Sequence, residues 1–142
     1  MGHTNGHEAA VGTNETAEGR DAIEIIRTRA HLLASEERDL LLMYLEQGNR
    51  FRQIGRLMGL SRTSVARRIR KISQRLMNDT YSLCLSNRDE FTGRELTMIK
   101  DYFVRGLSMK GISRSRNVTL YHVRMVIHKA RGCAASARAL CP

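Results

Sequence analysis

The sequence predicts an all-α chain: two tandem helix-turn-helix modules of three to four helices each, behind a disordered N-terminal tail. Three observations predict it. One proline, no tryptophan and 5% aromatic residues disfavour a sandwich or barrel, whose strands need turn formers and β-branched or aromatic side chains. Apolar residues recur at the three- and four-residue spacing of a helix face, and at 42% of the chain they suffice for a core. Third, one pattern occurs twice. Gly48 and Gly106 stand 58 residues apart, as do Asp21 and Asp79, Glu37 and Glu95, Tyr44 and Tyr102, and Ile54 and Ile112. Arg56 and Arg114, Val65 and Val123, Ile69 and Ile127, and Lys71 and Lys129 keep the same offset. An ungapped repeat at positions that a fold constrains reads as an internal duplication.

Residues 1–20 contain four glycines and three glutamates, a composition that cannot offset ordering entropy, and are expected to form a flexible tail. His3 and His7 within it read as solvated polar residues. The first module is expected over residues 21–78, the second over 79–136, with a short tail at 137–142. After Asp21, apolar residues at 22, 25, 26, 30 and 33 form a helical face. Ser35 is expected to cap the next helix, with Glu36 and Glu37 favoured by the dipole in its first turn. Its buried stripe is Leu40, Leu41, Tyr44 and Leu45, and Gly48 ends it.

A short helix follows, with Phe51, Ile54 and either Leu57 or Met58 inward. Gly59 supplies a turn of positive φ, Leu60 plugs the core, and Ser61 caps a longer helix. That helix, over residues 62–77, buries Val65, Ile69, Ile72 and Leu76. In the second module Thr92-x-x-Glu95 is a capping box. Met98, Ile99, Tyr102 and Phe103 face inward, Gly106 closes the helix, and Asn117 takes the place of Gly59. Gly55 and Ser113 must be small, because the short and long helices cross there. A short helix, a positive-φ turn with an apolar plug, a polar cap and a projecting helix make a helix-turn-helix.

Charge points to the partner. The net charge is +10 and the isoelectric point near 10.4, which suit a polyanion. No Asp or Glu occurs from residue 47 to 78, nor from 102 to the end. Thr63, Arg67, Arg70, Lys71 and Gln74 lie opposite the buried stripe, flanked by Arg62, Ser64 and Arg68. A merely solvated helix would mix signs in i,i+4 pairs, whereas residues 61–77 carry six cations and no anion. Double-stranded DNA is therefore the expected partner. The helix over 120–131 offers Tyr121, His122, Arg124, His128 and Lys129 as an auxiliary reader. Its Tyr121 and Met125 could equally pack on the neighbouring module.

No GxxxxGK phosphate loop, HExxH motif or cysteine/histidine metal spacing is present, so neither enzyme activity, metal nor cofactor is expected. No apolar run approaches membrane length, and the first residues lack a secretory pattern. Cys84, Cys133 and Cys141 are read as reduced thiols of a cytoplasmic, nucleoid-associated protein.

GLSRTSVARRIRKISQRL at residues 59–76, preceded by EERDLLLMYLEQG and Ile54-Gly55, resembles the promoter-binding fourth region of bacterial sigma factors. The extracytoplasmic-function branch, with its Val-x-x-x-[Leu/Ile] spacing, is the nearest pattern. The resemblance covers about 45 residues well and the second module loosely, since Arg116 and Asn117 replace the usual apolar residue and glycine. It implies major-groove reading of an upstream promoter element by Arg62, Thr63, Ser64, Arg67 and Arg70. It also implies RNA polymerase as a further partner. The expected protein is a tandem DNA-binding regulator without the family's promoter-melting domain. A recombinase or transposase accessory module and a polymerase-binding adaptor are the alternatives. As a monomer it would read an asymmetric, bipartite site; a homodimer would read a palindrome.

Overall fold

The computed structural model describes residues 17–46 and 50–140, which are all-helical with no strand. His3, His7, Gly48 and Cys141 lie outside the described residues. In chain order the helices are α1 (Ala17–Arg29), α2 (Ser35–Leu45), α3 (Phe51–Met58), α4 (Arg62–Met77), α5 (Thr80–Ser86), α6 (Gly93–Phe103), α7 (Met109–Arg116) and α8 (Leu120–Leu140). Short 3-10 turns, Ala30–Leu32 and Arg88–Glu90, precede α2 and α6. The chain divides between Met77 and Asn78 into two compact units. Adding 58 to the bounds of the first 3-10 turn, α2 and α3 gives those of the second turn, α6 and α7, and α4 and α8 begin in the same register.

In the first unit α4 is the central helix. Val65, Ile69, Ile72 and Leu76 are buried along one stripe and meet Ile26, Leu40, Leu41, Phe51 and Ile54 from the surrounding helices. Tyr44 stacks on Phe51 with ring centres 5.2 Å apart. The C-terminal carbonyls of α4 lack intrahelical partners, and Arg29 donates to one of them, Leu76 O, at 2.6 Å. Met58 is half-buried, whereas Leu57 is 67% exposed, so Met58 is the inward residue of the α3 pair.

In the second unit Val123, Val126, Ile127 and Ala130 of α8 pack with Cys84, Phe91, Met98, Ile99, Phe103 and Ile112. The α6 N-terminus carries the expected capping box: Thr92 Oγ1 accepts from the Glu95 N–H at 3.1 Å and Glu95 Oε1 from the Thr92 N–H at 2.9 Å. Beyond its C-terminus Gly106 adopts φ 74°, and Leu107 N–H reaches the Asp101 carbonyl.

Three boundaries differ from expectation. Ser35 is the first residue of α2 rather than its cap; Ala34 occupies the cap position, with φ −62° and ψ 154°, and has no side-chain acceptor to offer. Glu36 and Glu37 on the dipole start the helix without that hydrogen bond. Residues 17–20, expected in the tail, are helical, since Ala17 and Glu18 are strong helix formers. Lastly, α8 runs through the expected C-terminal tail to Leu140, carried by its alanines and anchored by buried Ala134.

Candidate nucleic-acid interface

The angle between α3 and α4 is set by a turn with little freedom. Gly59 ends α3 at φ 72°, a conformation that disfavours side chains. Leu60 N–H then bonds the Gly55 carbonyl at 2.8 Å, drawing the turn over the helix. A Cβ on Gly55 would lie 2.5 Å from Leu60 O, so no side chain fits. Ser61 Oγ accepts from Ser64 N–H at 3.1 Å and opens α4 as its cap. The second unit builds the same turn differently. Asn117 adopts φ 55°, Ser113 Oγ donates to the Val118 carbonyl at 2.5 Å, and Thr119 Oγ1 accepts from His122 N–H at 3.0 Å. Leu60 and Val118 are both half-buried.

On α4, Thr63, Arg67, Arg68, Arg70, Lys71 and Gln74 are exposed, and Arg62 and Ser64 half-exposed. Among the described residues no carboxylate forms an ion pair with Arg62, Arg67, Arg68, Arg70 or Lys71. Arg75 alone on this helix is paired, with Glu37 at 2.6 Å. Arg62, Thr63, Ala66, Arg67 and Arg70 line an open depression of about 330 Å³ whose floor includes Phe51. Unpaired guanidinium groups around a recess can donate several hydrogen bonds to one planar or tetrahedral anionic partner.

The corresponding face of α8 is poorer in free charge. Tyr121, His122, Arg124 and His128 are exposed. Met125 stands where Arg67 does, buried Val126 where Arg68 does, and His128 where Arg70 does. Lys129, expected on the outward row, is turned to α6: its ammonium lies 3.3 Å from Glu95 and 4.7 Å above the Phe91 ring. Arg131 lies over the Tyr102 and Phe103 rings and bonds the Tyr102 hydroxyl. Burial pushes the Glu95 carboxyl up, but bonds from Thr92 N–H and Lys129, with the charges of Lys129 and His122, outweigh it and lower its pKa.

One charged pair escaped the reading of the sequence. Asp101 is 1% exposed and holds Arg116 through two bonds of 2.9 and 3.2 Å, which raise the arginine pKa. The signal was in the repeat: Asp101 and Arg116 occupy the positions of half-buried Met43 and Met58 in the first unit. Cys84 is fully buried; burial, then the adjacent Cys133 thiol, pushes its pKa up to about 12 and leaves it protonated. Among the described residues no three His, Cys, Asp or Glu side chains converge as a metal site, and no helix is long and apolar enough to cross a membrane. No family model, no curated protein and no solved structure matches the chain.

Proposed function

We propose that the α3–α4 and α7–α8 turns are helix-turn-helix turns and that α4 reads the major groove of double-stranded DNA in a transcriptional regulator. The observation that carries this reading is the row Arg62, Arg67, Arg68, Arg70 and Lys71, unpaired with any described carboxylate, on the outer face of a helix whose projection is fixed at Gly55 and Gly59. A folded protein leaves so many like charges together when a polyanion supplies the missing counter-charge. The resemblance of residues 59–76 to the promoter-binding region of sigma factors supports the same reading. Arg67, central on the face, is assigned to a guanine edge; Lys71, one turn on, to phosphate. Auxiliary contacts fall to His122 and Arg124. A nucleoid-associated location follows from the same reading.

Titration against random-sequence and selected duplexes tests it. If about six phosphates are neutralised, log K falls against log salt with a slope of roughly −5. Arg67→Ala is expected to cost about 1–3 kcal/mol and to relax base preference, whereas Lys71→Ala weakens all sequences alike. A slope shallower than about −2 overturns the assignment. So does a protein that binds RNA polymerase but ignores duplex DNA.

A further inference from the structure

We infer that Cys84 and Cys133 form a redox-modification site, at which a low-molecular-weight disulfide joins the two sulfurs and so ties α5 to α8 within the second unit. The chain has three cysteines, and the two among the described residues are neighbours in space although they stand far apart in sequence. Cys84 Sγ donates to the Ala130 carbonyl at 3.5 Å. Ala130 and Cys133 are three residues apart, so both lie on the side of α8 that meets α5. The Cys84 thiol also hydrogen-bonds the Cys133 thiol, and Cys133 packs against the core cluster that contains Cys84.

The repeat shows that the fold does not need this pair. At the same register the first unit has Ile26, buried as Cys84 is, and Arg75, which turns to Glu37. Other side chains therefore serve the packing of one unit, whereas the other unit places sulfur on both sides of the same contact. The two thiols also differ in access, as stepwise exchange requires. Cys84 is 0% exposed, out of reach of a reagent in solution, and Cys133 is half-buried. Cys133 is thus the entry thiol and Cys84 the resolving one.

The exchange balances in two steps. Cys133 Sγ attacks one sulfur of the small disulfide as a thiolate; the reagent's S–S bond breaks, and the departing thiolate takes up the proton that Cys133 lost. Cys84 Sγ then attacks Cys133 Sγ, the bond from Cys133 to the reagent breaks, and the Cys84 proton leaves with the second small thiol. Two protein thiols give up two electrons, and one small disulfide is reduced to two thiols. The reagent meets only Cys133, so burial of Cys84 does not block the reaction. The ring closed between residues 84 and 133 takes in all of α6 and α7 and most of α8, and a loop of that length strongly restricts the unfolded chain.

This inference is independent of DNA reading and is tested without DNA. The folded full chain, as wild type and as Cys141→Ser, is incubated with glutathione disulfide and followed by thiol titration, intact mass and urea unfolding. Cys141→Ser should lose both remaining thiols and two hydrogens of mass, keep no adduct, and yield linked peptides containing Cys84 and Cys133. Wild type should yield the same link. The linked chain should gain roughly 1 M or more in urea midpoint, and dithiothreitol should reverse the gain. Adding Cys84→Ala should stop the reaction at one glutathione adduct on Cys133. Adding Cys133→Ser instead, at a half-buried position, should leave Cys84 unreacted. Two thiols that stay free, or an adduct that persists on Cys133 beside a free Cys84, overturn the inference. So do a wild-type link through Cys141, reaction of Cys84 in the Cys133→Ser chain, and a linked chain that unfolds at lower urea than the reduced one.

Discussion

Gly55 and Ser113 solve one steric problem in two ways. At Gly55 a methyl group would meet a backbone carbonyl at 2.5 Å, whereas Ser113 turns the same proximity into a hydrogen bond to Val118. Gly55→Ala is therefore expected to destabilise the first unit by about 1–3 kcal/mol through forced overpacking, read as a lower urea midpoint. Ser113→Ala removes a hydrogen bond and should cost only about 1 kcal/mol. Glu95 gives the second unit a pH dependence. Its lowered pKa means that the folded state favours the carboxylate. That stabilisation is complete above the ordinary glutamate value of about 4.3 and is lost as pH falls through the lowered one. Glu95→Gln should flatten this part of the acid limb in urea titrations at successive pH values; an unchanged limb would locate the sensitivity elsewhere. Small residues and turn formers were legible because local sterics dictate them. Lys129 was not, because its partner Glu95 lies 34 residues away and only packing of α6 on α8 brings them together. Ser35 misled because a good capping residue stood one place beyond the position that the repeat, through Thr92, assigns to the cap.

At the scale of elements, helical periodicity was enough to find the buried stripes of α4 and α8, since hydrophobic burial follows the 3.6-residue turn. It could not show which outward residues are tied down. Arg75, Lys129, Arg131 and Arg138 are cations like Arg67, yet each is held by a group outside its own helix. The α6–α7 contact carries a further prediction. A buried carboxylate without its cation is expensive, so Asp101→Ala, which leaves exposed Arg116 free to turn to water, should cost less than Arg116→Met, which strands Asp101. The second should cost about 3 kcal/mol, near the low end for a broken buried pair because Arg116 is 40% exposed. Replacing both with methionine copies the first unit at positions 43 and 58 and should be neutral or stabilising. A double-mutant cycle by chemical denaturation checks it; additive losses would mean that the pair is not coupled.

For the whole molecule, the constant offset of 58 residues made the duplication plain, and the fold class followed from composition and period. The difference between the two outer faces was less plain, because they diverge residue by residue within one preserved scaffold. If α4 is the main reader and α8 the auxiliary one of a single chain, the bound DNA site should be asymmetric and bipartite, and footprinting at saturation should find one chain per site. Two chains on a palindromic site would overturn the tandem reader. The exchange of Met43 and Met58 for Asp101 and Arg116 has another consequence, for a chain whose halves are near copies. Helices with matching bounds can dock on the wrong partner during synthesis, a characteristic failure of repeated architectures. If α6 captured α3, Asp101 would be buried opposite a thioether; if α2 captured α7, Arg116 would face one. Either hybrid would strand a charge that the native α6–α7 pairing satisfies, so the ion pair is expected to disfavour docking of one half's helices on the other's.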